Sequence, residues 1–273
     1  MKDKQEIGIE QHEQILLFLH RFGWLTSRMV KKLVYENSTQ GIALARRALS
    51  KMVEKKLVLK RPLPNGAEAY LLGTKGASFL NGLKPGINSQ SGARLKLGNT
   101  VHRACSNWYL IEEYVNNGRA ISTEFEIQTG NSPVHQILGK VPDGLTYSEL
   151  GADWIEVENT WKNRSERDRI VKFCIEMLGF EMSQLLNSTT YLHKVVLVCA
   201  TKDSANSIVN SFIEAFENSF ISVQALSEVE IAFAEMTPSL MPPKIIMKAN
   251  LWYDLISPYD DPNGNYLLNE DLS

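Results

Sequence analysis

The sequence has few cysteines and no long hydrophobic run. Its 273 residues include three cysteines, Cys105, Cys174 and Cys199, which lie far apart and lack the spacing of a metal site or a disulfide framework. Each lies in an apolar stretch, so we expect buried free thiols in a cytoplasmic protein. No apolar run approaches the ~18–20 residues that span a bilayer. The charged N-terminus leads into no signal-type segment, so no membrane insertion is expected.

Several catalytic fingerprints are also absent. The sequence has no Gly-x-Ser-x-Gly, no Gly-Lys-Ser/Thr and no Gly-x-Gly-x-x-Gly. This argues against serine hydrolases, phosphate-loop enzymes and dinucleotide-binding enzymes. With 44% apolar and 22% charged residues, the composition is that of a folded globular protein and excludes disorder over the whole length.

The net charge of −2 hides an uneven distribution of charge. Residues 1–98 hold 17 Lys and Arg against 7 Asp and Glu, whereas residues 99–273 hold 12 against 24. A basic module can bind phosphate by counterion release, and an acidic one can supply oxygen ligands to a divalent cation. The composition changes across a stretch rich in Gly, Ser, Pro and Asn. We therefore predict a domain at 1–84, a linker at 85–98 and a second domain at 99–273, with its core at about 99–220.

Helical spacing and turn residues organise the basic module. Apolar stripes predict a first helix that ends at Gly23, a second that Thr26 caps, and a third that Ser38 or Thr39 caps. Two short strands, 57–61 and 69–72, flank the turn signal Pro64-Asn65-Gly66, and a further helix follows at 75–83. Three helices followed by a hairpin is the order of a winged helix-turn-helix, whose third helix enters the DNA major groove.

Five basic side chains are candidates for DNA contact in this module. The outer face of the third helix carries Lys51 and Arg47, with Arg46 beside them, and the first hairpin strand carries Lys60 and Arg61. The helix residues would face the groove, and the hairpin residues would contact phosphate. Two other interpretations stay open: the charges form a solvated helix face, or the module binds another protein.

The acidic module alternates helices and strands. Patterning predicts a helix at 99–116, strands at 120–127, 141–147 and 154–158, a helix at 165–182, a strand at 195–200 and a helix at 204–219. This α-β-β-β-α-β order indicates a mixed sheet. The predicted fold class is therefore α+β or α/β, with the winged helix first and the α/β module second.

The chemistry of the second module lies in three carboxylates. Strand alternation places Glu156 and Glu158 on the same face, with Trp154. Asp143 precedes Glu156 by 13 residues across a turn signal, so antiparallel pairing would bring it beside Glu156. Such a cluster suits Mg²⁺ or Mn²⁺, which can polarise a phosphodiester. Alternatively, the two glutamates lie on the solvent face of an edge strand.

Pro142-Asp143 and Glu156-Val157-Glu158, in this order of elements, resemble the PD-(D/E)xK restriction-endonuclease-like superfamily over about residues 99–200. The resemblance implies a divalent-metal-dependent DNA endonuclease with Asp143, Glu156 and Glu158 as metal ligands. The superfamily has lysine where this chain has Glu158. The group that activates water is therefore open between Glu158, Lys162 and Lys172.

Over about residues 10–185 the chain resembles the MOBC-class relaxases of the plasmid replication–relaxation family, which join a winged helix to a nuclease-like domain. The matching stretches are Phe22-Gly23-Trp24-Leu25-Thr26, Ala45-Arg46-Arg47-Ala48-Leu49, Tyr70–Gly76, His102, Val141–Gly144 and Ile155–Glu158. The resemblance implies an enzyme that nicks one strand of double-stranded plasmid DNA at a transfer origin. It also implies Mg²⁺ or Mn²⁺ and an accessory mobilisation or coupling protein.

Two further residues are candidates within that resemblance. His102 falls where the family has a histidine, although a helix-face or core role is the alternative. Glu124, on the strand before Asp143, is a candidate fourth acidic ligand, and Glu126 competes for the role. The five histidines are too scattered for the metal cluster of tyrosine relaxases. Two other functions stay open: a non-enzymatic winged-helix replication or transcription regulator, and a double-strand endonuclease of restriction or transposon type.

Overall fold

The computed structural model describes residues 3–84, 86–134, 140–158, 163–178, 189–235 and 244–257. These residues form two compact units, of which the first ends at Val141 and the second begins at Pro142. The linker predicted at 85–98 therefore falls inside the first unit. None of the described helices is long and apolar enough to cross a membrane.

The first unit contains six α-helices and four strands among its described residues. In chain order they are α1 (Lys4–Phe22), β1 (Trp24–Leu25), α2 (Ser27–Val34), α3 (Gly41–Glu54), β2 (Val58–Pro62), β3 (Glu68–Leu72), α4 (Thr74–Leu83), α5 (Thr100–Asn116), β4 (Ala120–Thr123) and α6 (Glu124–Gln128). Gly23 ends α1 with φ of 75°, and the Thr26 hydroxyl caps α2, as the sequence predicts.

The small sheet of this unit is antiparallel, with the strand order β1-β3-β2. The pairing of Lys60 with Tyr70 and of Pro62 with Glu68 confirms the predicted hairpin. Strand β1 was not predicted, because two residues are too few to show alternation. It joins the sheet through Trp24, which pairs with Leu71 of β3.

Helices α5 and α6 extend the first unit beyond the predicted boundary at 84. The side-chain amide of Asn107 in α5 donates to the carbonyl oxygen of Trp24 at 3.2 Å. Arg21, at the end of α1, donates to Glu126 of α6 at 2.7 Å and to the carbonyl oxygen of Ile121 at 2.7 Å. These contacts fasten residues 100–128 to the N-terminal helices.

The second unit contains five strands and three α-helices among its described residues. They are β5 (Gly144–Ser148), β6 (Gly151–Glu158), α7 (Arg164–Leu178), β7 (Leu192–Cys199), α8 (Lys202–Glu217), α9 (Val223–Ser227), β8 (Val229–Glu235) and β9 (Lys244–Asn250), followed by a π-helical turn at Leu251–Ile256. The strands follow one another as β5-β6-β7-β8-β9 in a mixed sheet. Pairing is antiparallel for β5/β6 and β8/β9 and parallel for β6/β7 and β7/β8.

Strand β6 lies inside this sheet, between β5 and β7. Its face that carries Trp154 packs on α7, where the rings of Trp154 and Phe173 lie 5.2 Å apart. The side chains of Ile170, Phe173, Cys174, Met177 and Leu178 are buried, as the helical stripe predicts. The α-β-β-β-α-β order is confirmed except that the short helix α6 is inserted after β4.

Two local predictions are wrong. Residues 124–127 were predicted to continue a strand, but the Thr123 hydroxyl accepts from the backbone N–H of Glu126 and starts α6. The Glu126 carboxylate accepts from the Thr123 N–H in return, a capping box that overrides the β-type pattern. Neither Ser38 nor Thr39 caps α3, since Gln40 occupies the cap position without a side-chain hydrogen bond.

Candidate functional site

The three predicted carboxylates lie at the paired ends of β5 and β6. Gly144 pairs with Ile155, and the backbone N–H of Asp143 donates to the carbonyl oxygen of Ile155 at 3.0 Å. The next position along this antiparallel register places Asp143 opposite Glu156. The predicted pairing is therefore confirmed.

Glu156 and Glu158 are buried, although both carry carboxylates. Glu156 is 6% exposed and Glu158 is 2% exposed. Because β6 has a partner strand on each side, the alternative of a solvated edge strand is wrong. The burial of a carboxylate costs free energy unless hydrogen bonds or cations compensate its charge. Two buried glutamates on one strand are therefore typical of a functional site rather than of a solvent-exposed surface.

Each part of this cluster has contacts within the second unit. The Asp143 carboxylate accepts from the backbone N–H of Val157 at 2.8 Å, which ties β5 to β6. The indole N–H of Trp154 donates to the Glu156 carboxylate. The Ser204 hydroxyl, in the first turn of α8, donates to the carbonyl oxygen of Glu158 at 3.3 Å. The cluster thus lies where β6 ends and α8 begins.

The oxygen chemistry of these residues suits Mg²⁺ or Mn²⁺, but their arrangement does not form a metal centre. Among the described residues, no three side chains of His, Cys, Asp or Glu are grouped so that they could hold an ion. Asp143 is turned onto the Val157 N–H and Glu156 onto the Trp154 indole. The metal stays a prediction, and no chemical step is assigned to it.

The two other candidates from the resemblance belong to the first unit. Glu124 is in α6 rather than on a strand, and its carboxylate lies 3.0 Å from the Arg103 guanidinium. Its competitor Glu126 pairs with Arg21. His102 is half-buried in the first turn of α5.

Three residues could take the role of the superfamily's lysine, and the structure describes two of them, Lys172 and Glu158. Lys172 is exposed on α7, where its ammonium lies 3.7 Å from the carboxylate of Glu176, one turn further on. Lys162 lies outside the described residues. Glu158, the third group proposed to activate water, is buried on β6, on the same strand face as Glu156.

The basic candidates of the first unit divide into two groups. Arg46, Arg47 and Lys51 are exposed on α3, and Lys60 is exposed on β2, as predicted. Arg61 is half-buried, and its guanidinium donates to the carbonyl oxygen of Leu95 at 2.6 Å. Arg61 thus anchors the chain that follows α4. This hydrogen bond competes with the contact to DNA phosphate that the sequence predicts for Arg61.

A cavity of about 500 Å³ lies between the start of α2, the outer side of α3 and the β2–β3 hairpin. Two arginines and one lysine line it, and a single carboxylate opposes them. The lining residues are Thr26, Ser27, Arg28, Arg46, Ser50, Val53, Lys60, Gly66, Ala67, Glu68 and Tyr70. Polar hydroxyls and three cations make the cavity a candidate anion site.

Arg28 is the residue of this site that the sequence analysis missed. Arg28 and Arg46 line this cavity and also a second one of about 490 Å³, in which Trp108 and Glu112 of α5 take part. In the part of the chain that the structure describes, neither arginine has an ion-pair partner. Arg28 follows the Thr26 cap by two residues, and nothing in the neighbouring sequence marks it as part of a cavity.

A buried aspartate and a histidine form a separate contact in the second unit. Asp153, which is 0% exposed, accepts from His193 Nδ1 at 2.8 Å and from the Thr146 hydroxyl at 3.3 Å. Lys194 lies 4.0 Å from the same carboxylate. Nearby, burial raises the pKa of Glu228, and the charge of His193 opposes that shift. These interactions compensate the Asp153 charge at the start of β6.

No family model, curated protein or solved structure matches this chain. The resemblance to relaxases and to PD-(D/E)xK nucleases therefore stays a prediction, which rests on the motifs and the order of elements.

Proposed function

We propose that the protein binds duplex DNA through its first unit, which acts as a winged helix. The chain order α1-β1-α2-α3-β2-β3 and the antiparallel strand order β1-β3-β2 are those of that motif. In this proposal α3 enters the major groove, and the hairpin lies against the phosphate backbone.

The observation that carries the proposal is the set of exposed cations without ion-pair partners on α2 and α3. Arg47 and Lys51 are exposed on α3, and Arg28 and Arg46 line the neighbouring cavity. For these four side chains, the described residues provide no carboxylate within ion-pair distance. Arginine suits this role because its planar guanidinium can bind two acceptors of a base edge or a phosphate at once.

Fluorescence anisotropy with a labelled 20-base-pair duplex tests this proposal. We expect the full chain to bind at low salt, with an affinity that falls as salt rises. Arg47→Ala should cost ~1–3 kcal/mol on a preferred sequence if the guanidinium reads a base. Lys60→Ala should weaken binding to all sequences alike and flatten the salt slope by about one.

The matched control is Arg169→Ala, which removes an exposed arginine from α7 in the second unit. It changes the net charge by the same amount, so an equal loss of affinity would indicate a general charge effect. A wild-type chain without affinity for any duplex at low salt would contradict the proposal.

A second candidate function is cleavage of one strand of plasmid DNA by the second unit, in the manner that the resemblance to relaxases implies. The burial of Glu156 and Glu158 beside Asp143, on a central strand, favours it. It would act on double-stranded plasmid DNA at a transfer origin, with an accessory mobilisation or coupling protein. The non-enzymatic regulator and the double-strand endonuclease are the other outcomes of its test.

That test is incubation of supercoiled cognate plasmid with the protein and added Mg²⁺ or Mn²⁺. We expect open-circle product from the wild type and none from Asp143→Ala or Glu156→Gln, while affinity for DNA is nearly unchanged. Glu149→Gln, in the exposed β5–β6 turn, is the control and should cleave normally. Linear product would indicate a double-strand endonuclease, and wild-type cleavage by both variants would refute the assignment of these carboxylates.

A further inference from the structure

The cavity between α2, α3 and the hairpin contains one carboxylate, that of Glu68. Glu68 lies opposite Pro62 in the hairpin. Its Oε1 atom lies 2.7 Å from Lys60 Nζ, and its Oε2 atom accepts from the Tyr70 hydroxyl at 2.9 Å. Glu68 therefore holds the two hairpin donors that would otherwise point into the cavity.

At neutral pH the Glu68 carboxylate is ionised and the Tyr70 hydroxyl keeps its proton. The hydrogen bonds from Lys60 and then Tyr70 lower the pKa of Glu68, and the charges of Lys60 and Arg46 act in the same direction. Burial, together with the hydrogen bond to Glu68, raises the pKa of Tyr70 to about 12. Glu68 is thus a constant negative charge, and Tyr70 is a constant hydrogen-bond donor.

The rest of the cavity attracts a second anion. Arg28 and Arg46 face it from α2 and α3, and the described residues supply neither with an ion-pair partner. Three cations against one carboxylate leave an excess of positive charge. A phosphate has more acceptor oxygens than a carboxylate, so it can bind guanidinium groups and the hairpin donors together.

We propose that this cavity binds a phosphate group and that Glu68 is its built-in competitor. A phosphate that enters between Arg28 and Arg46 takes the Lys60 ammonium and the Tyr70 hydroxyl from the Glu68 carboxylate. This inference rests on the proposed binding of duplex DNA, whose backbone would supply the phosphate. Free phosphate compounds share the same chemistry and are distinguished by the test.

The consequence is a general weakening of duplex binding. The negative charge of Glu68 opposes every duplex equally, because every duplex presents the same phosphates. Stable binding then depends on the additional base contacts of α3. Glu68 thus lowers the affinity for every duplex by a similar factor and leaves the ratio of affinities between sequences unchanged.

The test uses the full chain and compares Glu68→Gln with the wild type by fluorescence anisotropy on a random-sequence 20-base-pair duplex. Glutamine keeps the size and can still accept from Tyr70, but it lacks the charge. We expect binding to tighten by about threefold to tenfold and the salt slope to steepen by about one. The double variant Arg28→Gln, Arg46→Gln should bind the same duplex at least about tenfold more weakly. Glu149→Gln, a charge change in the second unit, should leave both quantities unchanged.

A second arm titrates inorganic pyrophosphate by calorimetry at constant ionic strength. If Glu68→Gln tightens duplex binding, the DNA backbone is the source of the phosphate. Tighter pyrophosphate binding with unchanged duplex binding would assign the cavity to a free phosphate compound. Unchanged binding of both ligands overturns the inference. If the wild type binds no duplex, the proposed DNA function fails. The pyrophosphate titration then still shows whether the cavity binds phosphate.

Discussion

A fragment that ends at residue 84 is expected to melt at least about 12 °C below a fragment that ends at residue 141. The shorter fragment lacks α5 and α6, which contribute buried side chains to the first unit. Trp108 of α5 is fully buried, and loss of a buried tryptophan costs about 3–5 kcal/mol. For a domain of this size, each kcal/mol shifts Tm by ~4–8 °C.

The shorter fragment also leaves polar groups without their partners. Arg21 loses the Glu126 carboxylate and the Ile121 carbonyl oxygen, and the carbonyl oxygen of Trp24 loses the amide of Asn107. Circular dichroism melts of the two fragments at equal concentration provide the measurement. Equal melting temperatures would instead favour the domain boundary at 85–98 that the composition predicts.

Replacement of His193 by alanine is expected to destabilise the second unit by about 2–3 kcal/mol. Asp153 is fully buried, and its carboxylate accepts a hydrogen bond from His193 Nδ1 at 2.8 Å. Loss of a hydrogen bond to a buried charge carries a cost of this size. The His193 side chain is 35% exposed, so little buried surface is lost when the ring is removed. The loss of stability therefore arises from the Asp153 carboxylate, which stays buried without its hydrogen bond from His193.

Urea unfolding of the variants Asp153→Asn, His193→Ala and their combination measures this effect as a double-mutant cycle. The asparagine has no charge to compensate, so His193→Ala should cost less in its presence. Strictly additive changes in unfolding free energy would show that the two side chains do not depend on each other.

Local signals predicted the first unit well, because its helix ends and its hairpin depend on neighbours in sequence. Gly23 adopts a positive φ that favours glycine, and a Cβ at this position would also lie 2.9 Å from the Phe125 ring. Thr26 caps α2 through its own hydroxyl. The turn at Pro64-Asn65-Gly66 joins β2 to β3. Such features need no knowledge of the distant chain.

Features that depend on distant residues were harder to predict. The sequence placed Asp143 beside Glu156, but it left open whether β6 is an edge strand or a central one. That choice is made by β7, whose residues 192–199 pair with β6 in parallel. The same holds for Arg28, which becomes part of a cavity only because α3 and the hairpin fold against the start of α2.

The contact between Arg21 and Glu126 also sets the order of events during synthesis. These residues are 105 positions apart. Ribosomes add about 5–20 residues per second, so α1 waits roughly 5–20 s for the helix that carries its partner. During that interval the Gly23 surface that Phe125 later covers is open to chaperones and to other nascent chains. The first unit is therefore completed only when nearly half of the protein has been made.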